Sequence, residues 1–177
     1  KAGQSGVSEV TCFDTTDFPT RIAGEVRGFD PETIVDKKEA RRTSRFILLA
    51  LKASLEAVAD SGLDIAPIAE KVGIEIGSGI GGIEILEQTA IALSQKGPTR
   101  VSPFTVPMMI PDMAAGLVAI KTGAKGPNAC TVTACASASN SMGNAYRLIQ
   151  QGHVIAMITG GAEASITPLA MASFSAA

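Results

Sequence analysis

The chain has 177 residues, of which 46% are hydrophobic, 18% charged and 4% aromatic, with a formal net charge of -2. That is apolar material for one domain with a substantial core, while the near-neutral balance argues against general nucleic-acid binding. No apolar run reaches the length of a membrane span, and the opening KAGQSGVSEV lacks the apolar stretch of a secretory signal. The three cysteines, Cys12, Cys130 and Cys135, show no C-x-x-C spacing. That spacing favours a reducing, intracellular setting over a disulfide framework or a metal site.

Residues 1–35 read as loop, punctuated by Gly3, Gly6, Pro19, Gly24, Gly28 and Pro31. Residues 36–62 read as one long helix: Phe46, Leu49, Ala50, Ala53 and Ala57 recur at helical spacing and Gly62 ends it. Residues 71–79, KVGIEIGSG, read as a strand running into a glycine loop, and 83–97 as a helix closed by Gly97. From 103 the chain reads as a proline-bracketed loop that becomes a helix near Asp112. The Thr and Val of GPNACTVTA predict a strand over 126–134. Residues 137–152 predict a helix ended by Gly152, and 153–161 another strand. A last helix begins near Thr167. Strands alternating with helices define an α/β layered class.

The segment TVTACASASNSMG places Cys135 where the predicted strand meets the predicted helix. A strand-to-helix turn presents a side chain at the sheet edge and aims free helix N–H groups toward it. The positive end of the helix dipole there favours thiolate over thiol. From spacing alone, nucleophile and small buried hydrophobe are equal readings of Cys135. Cys130, within the strand, and Cys12, in a loop, read as structural. GSGIGG at 77–82 satisfies G-x-G-x-x-G. No acidic residue follows at a strand end about twenty residues on, so the glycines read as a tight turn beside the site. His153, the one histidine, follows the far end of the Cys135 helix and cannot reach the thiol.

The blocks AGQSGV, KKEARRTSRF, IGSGIGGIEILEQ, RVSPFTVPMMIPDMAAG, KTGAKGPN, TVTACASASNSMGNAYRLIQQG and MITGGAEASITPLAMASFSAA together resemble the β-ketoacyl-[acyl-carrier-protein] synthases. The likeness is to the synthase II group of type II condensing enzymes, and it covers the whole chain. It implies the thiolase-like layered α/β/α/β/α fold, of which residues 1–177 would be the amino-terminal half, without the first strand. It also implies a homodimer, acyl and malonyl carrier-protein substrates, and neither cofactor nor metal.

By the same resemblance Cys135 is the acyl-accepting nucleophile, its backbone N–H one donor of the oxyanion hole. Two histidines, a lysine and the second donor would lie in the other half, so residues 1–177 alone are expected to be inactive. Ile110 and Met109 would meet the acyl chain, beside Met108. Lys38, Arg41 and Arg42, within a basic cluster that reads as one helical face with Lys37 and Arg45, would dock the acidic carrier protein. The sequence departs from the family at His153, where an acid is more usual, and at Asn140, where His is common. Asn140 is closer to cyanobacterial or plastid forms. The expected location is the bacterial cytoplasm, with the plastid stroma as alternative. A polyketide ketosynthase, a non-catalytic chain-length-factor-like subunit and a cysteine hydrolase are the competing functional readings.

Overall fold

The computed structural model describes residues 2–177. At its centre is a parallel three-stranded sheet of order β4-β3-β5, where β3 is Val72–Gly77, β4 Asn128–Ala129 and β5 Ala156–Gly161. β3 pairs with β5 along its whole length, Val72 opposite Ala156 through Gly77 opposite Gly161. Every residue of β3 is buried, as a parallel strand covered on both faces requires. On one face, Val72, Ile74 and Ile76 pack with Phe46, Ile47 and Leu51 of α2 (Arg45–Ser61) and Val118 of α5 (Met113–Thr122). Phe46 and Leu51 are fully buried there. On the other face lies α6 (Ser137–Gln150), whose inward residues Ser137, Ser141 and Ala145 are small.

The predicted helix over 36–62 is two helices. α1 (Lys37–Ala40) is capped by Asp36, which accepts from the backbone N–H of Lys38 and Glu39 at 2.8 Å each. It stops because the Thr43 hydroxyl donates to the Glu39 carbonyl at 2.9 Å, a local competitor of helical bonding. Ser44 is then extended (φ -71°, ψ 158°). Its own side chain makes no cap; the Arg45 N–H instead donates to Glu84 Oε1 at 3.0 Å, so a carboxylate from the next helix, α3 (Ile83–Lys96), starts α2. The basic cluster therefore does not form one helical face. Lys37 and Lys38 lie on α1, Arg41 and Arg42 on the break, and Arg45, at the start of α2, reaches across the surface to donate to the Val26 carbonyl.

α2 ends on Gly62 in the left-handed region (φ 65°) and α3 on Gly97, both as the sequence indicates. The proline-bracketed segment differs: Thr105–Met109 forms a short helix, α4, with Pro107 in its first turn, where a proline's missing N–H costs nothing. The strand predicted over 126–134 keeps only Asn128–Ala129 in the ladder. Beyond Ala129 side chains hold the chain instead. Thr131 donates to buried Glu75 of β3 at 2.6 Å, and Asn144 of α6 donates to the same Glu75 oxygen at 2.7 Å. The last helix, α7 (Pro168–Ala176), begins with Thr167 as its cap and Pro168 at its first position, as expected.

The amino-terminal segment is fastened separately. β1 (Ser8–Glu9) pairs antiparallel with β2 (Ile22–Ala23). Beyond them the Glu25 carboxylate accepts from the N–H groups of Thr11 (3.0 Å) and Cys12 (3.1 Å), from the Thr11 hydroxyl (2.9 Å) and from Arg27 (2.8 Å). These bonds, the Thr11 N–H first, hold Glu25 well below its ordinary value of 4.5, at about 2. A carboxyl with a depressed folded-state pKa contributes its full stabilisation above the unfolded value and loses it as pH falls through the folded one. Protection of the Thr11 and Cys12 amides, measured by hydrogen exchange, should therefore be constant above about pH 4.5 and collapse between there and about pH 2. Glu25→Gln should lower that protection above pH 4.5 and remove its pH dependence.

Candidate active site

After β4 the chain runs through residues 130–133 into a 3₁₀ turn, Ala134–Ala136, and then into α6. Cys135 is the middle residue of that turn, one short turn ahead of α6 rather than at its first residue, and it is exposed. Ala134, immediately before it, has φ 52°, the one non-glycine residue in the left-handed region among the described residues. Such a conformation persists only where the surroundings enforce it. Here the Ser137 hydroxyl donates to the Ala134 carbonyl (2.7 Å) and accepts from the Thr133 N–H (2.9 Å). From one turn into α6, Asn140 donates to the Thr133 hydroxyl at 2.7 Å.

The turn sits directly on the strand ends. A Cβ at Gly77 would lie 2.6 Å from the Ser137 backbone, and one at Gly161 would lie 2.6 Å from the Ala138 Cβ. Glycine at both positions lets α6 descend onto the sheet. Together the turn, the Gly77–Ile80 loop and the Gly161–Ser165 segment enclose a cleft of about 510 Å³ with Cys135 in its wall. Phe174 of α7 and Ile80 give it an apolar side.

The GSGIGG segment is a packed turn with its own anion. The N–H groups of Gly79 and Ile80 donate to Glu163 Oε2 at 2.8 and 3.0 Å, and the Ser78 hydroxyl lies 3.4 Å from the same oxygen. On its other side the Gly82 N–H donates to the Met109 carbonyl at 3.0 Å. A Cβ at Gly81 would come within 2.6 Å of that carbonyl. The loop thus separates Met109 and Ile110 from the Cys135 cleft: both are half-buried, and neither lines it.

Lys38, Arg41 and Arg42 are exposed around α1 and the break that follows, and Arg42 stacks over the Phe104 ring at 4.5 Å. They share a surface region but not the cleft. The exposed His153 follows α6; its N–H donates to the Leu148 carbonyl at 3.0 Å. The 14 residues of α6 put it about 21 Å from the turn.

The thiols differ in setting. Cys130 is half-buried, and burial pushes its thiol above the ordinary 9.0; the Ser78 backbone opposes this while the Asp112 and Glu75 carboxylates add to it. Partial burial and then Glu25 raise Cys12. Two acids of this region carried no signal in the sequence reading. Glu163 follows β5 in a segment without a charge pattern, and Glu75 occupies an apolar run where an internal residue is expected. Among the described residues no three His, Cys, Asp or Glu side chains gather as a metal site.

A parallel sheet layered by helices, with an exposed cysteine on a strained turn at its strand ends, defines a layered α/β protein with a candidate cysteine nucleophile. The chain belongs to the β-ketoacyl synthase family: the profile of the β-ketoacyl synthase N-terminal domain matches residues 1–177. It is 51% identical over 176 residues to 3-oxoacyl-[acyl-carrier-protein] synthase 2 of Synechocystis sp., and 53% identical over 175 residues to the Staphylococcus aureus protein of that name. These alignments cover 99% and 98% of this chain, which spans 42% and 43% of the relatives' lengths. Among solved structures, the ishigamide ketosynthase/chain length factor superposes with a TM-score of 0.89 at 26% identity, over 99% of this chain and 44% of its own.

The three thiols should separate in alkylation. A short iodoacetamide pulse near neutral pH, read by peptide mass spectrometry, should place most label on exposed Cys135. Label on Cys130 should rise only at higher pH, because burial holds its proton. Preferential labelling of Cys130 at neutral pH would contradict the burial described here.

Proposed function

We propose that the protein is a condensing enzyme of type II fatty-acid synthesis in which Cys135 is the acyl-accepting nucleophile. The observation that carries this reading is the exposed thiol on the strained turn of the cleft. In the first half-reaction the Cys135 sulfur attacks the thioester carbonyl of acyl carrier protein. The tetrahedral oxyanion is stabilised by the Cys135 backbone N–H and a second donor. The carrier thiolate leaves and takes up a proton, and an acyl-Cys135 thioester remains. In the second half-reaction malonyl carrier protein loses CO2. The resulting carbanion attacks the acyl-cysteine carbonyl, forming a carbon–carbon bond and expelling the Cys135 thiolate. The product, a 3-oxoacyl carrier protein, is two carbons longer than the acyl chain.

Residues 1–177 supply the nucleophile, one wall of the cleft and one oxyanion donor in this reading. The second donor, two histidines and a lysine come from the remainder of a protein of the relatives' length. Met109 and Ile110 form the distal acyl pocket, reached past the glycine loop. Lys38, Arg41 and Arg42 dock the acidic carrier protein, the exposed cations steering its approach.

Two copies associate as a homodimer through the β4 side. The support is apolar exposure on the chain after β4, at Val132 (54%), and on α6, where Met142, Tyr146 and Ile149 recur at helical spacing and are 49%, 64% and 43% exposed. We place the protein, with its carrier protein, in the bacterial cytoplasm. The likeness to a ketosynthase/chain length factor keeps polyketide elongation as the second reading. The 51–53% identity to fatty-acid synthases favours the first, and Cys135 itself speaks against a non-catalytic subunit.

In the full-length protein, Cys135→Ala should abolish the acyl adduct seen by intact-mass spectrometry while leaving the circular dichroism spectrum unchanged. Cys130→Ala should keep the adduct. A full adduct on C135A would refute the assignment. For docking, the triple reversal K38E/R41E/R42E should raise KM for carrier-protein substrates and leave KM for small acyl thioesters in place. Added salt should weaken the unmodified protein's docking, since exposed charges are screened within about 8 Å at physiological ionic strength. Equal loss for both substrate types would remove these residues from the docking surface.

A further inference from the structure

We propose that Glu163 is a positioning residue for Cys135, whose carboxylate holds the glycine loop in the shape against which the cysteine turn rests. The inference builds on the reading of Cys135 as the nucleophile. Glu163 follows β5 and sends one carboxylate oxygen into the loop that follows β3. That oxygen gathers two consecutive backbone N–H groups, Gly79 at 2.8 Å and Ile80 at 3.0 Å, with the Ser78 hydroxyl at 3.4 Å. Successive amides converging on one anion form a nest of the kind that takes phosphate in nucleotide-binding loops. Bonds to a charged acceptor are about twice as strong as neutral ones. Among the described residues Glu163 forms no salt bridge that would compete for the carboxylate.

What the nest fixes is the contact with the nucleophile's turn. A Cβ at Gly79 would lie 3.1 Å from Glu163 Oε2 and 3.5 Å from the Ala134 carbonyl oxygen, so the residue whose amide binds the carboxylate faces the strained residue before Cys135 across the space of one methyl group. Ala134 cannot hold φ 52° unaided. On the near side of the same loop Gly77 bears on Ser137, whose hydroxyl grips the Ala134 carbonyl at 2.7 Å. On the far side Gly161, two residues before Glu163, bears on Ala138. The carboxylate therefore ties the ends of β3 and β5 together around the turn. Without it the Gly79–Ile80 amides point at solvent, and the Ala134 backbone loses its backing. The thiol would still be present, but no longer fixed against the carbonyl it attacks.

The test uses the full-length protein with E163A and E163Q, a small acyl thioester as substrate, and intact-mass detection of the acyl adduct. E163A should lower the rate of Cys135 acylation about 10- to 100-fold with KM unchanged, the range expected when a reacting group is displaced by up to about 1 Å. E163Q, which keeps a carbonyl acceptor for both amides, should restore most of that rate. Hydrogen exchange at Gly79 and Ile80 should quicken in E163A and remain slow in E163Q. Wild-type acylation by E163A would overturn the proposal. So would equal losses in E163A and E163Q with exchange unaltered, because the carboxylate would then act by charge and not through the loop. If E163A does not fold, Gly79→Ala tests the contact from the loop side and should slow acylation likewise; a normal rate there refutes the proposal. The iodoacetamide labelling rate of Cys135 across the same variants reads the clamp without any acyl substrate. A wild-type protein that forms no acyl-Cys135 would sink the proposed function, whereas an E163A labelling rate equal to wild type would sink the clamp.

Discussion

The arrangement around Cys135 depends on backbone meeting backbone. α6 rests on the ends of β3 and β5 where Gly77 and Gly161 carry no side chain, and a single methyl group at Gly77 would collide with Ser137 at 2.6 Å. That closeness decides the rest of the site. With the helix seated so low, the chain passes from β4 to α6 in seven residues, the last three wound into the 3₁₀ turn, and Ala134 opens that turn in the left-handed conformation. The thiol is lifted clear of the sheet as a result. Side chains from α6, Ser137 and Asn140, then hold the turn from the helix side, while the glycine loop supports it from the strand side.

The polar interior beneath this site has its own logic. Glu75 occupies the middle strand and is 4% exposed, with Thr131 and Asn144 donating to one of its oxygens. A buried carboxylate is tolerated only when hydrogen-bonded. Here its two donors come from the segment leading to Cys135 and from α6. The bonds that satisfy the acid also register these elements on β3. An apolar residue at 75 would leave the Asn144 amide without its best acceptor, so the three residues act as a unit.

How much of this could be read in the sequence varied with the kind of force involved. Elements ended by glycine or begun by proline were legible: the end of α2 at Gly62, of α3 at Gly97, and the start of α7 after Thr167. Local stereochemistry sets those points, and a sequence displays it. The break at Thr43–Ser44 was missed because an apolar spacing that continues past residue 45 hides a hydroxyl competing for the Glu39 carbonyl. The shortened β4 was missed because Thr and Val favour strand, while its actual end is set by Glu75 and Asn144, distant in sequence. The same divide runs through the site. Cys135 stood out by its place between a strand pattern and small residues. Glu163 did not, because its meaning lies wholly in two amides more than eighty residues upstream.

The sheet also has a consequence for how the chain comes into being. β3 finds its long partner β5 only after 78 intervening residues, from Ser78 to Ile155, have been made. At about 5–20 residues per second of synthesis, that is a wait of roughly 4–16 s. Over that interval α2, α3 and α5 can form from local contacts, but β3 has no β5 to pair with, and its apolar residues have one face uncovered. The cysteine turn cannot set either, since Gly161 and Glu163 are made more than twenty residues after it. On the ribosome the site is therefore among the final parts of these 177 residues to take shape, and β3 is the stretch for which a holding chaperone has most to do.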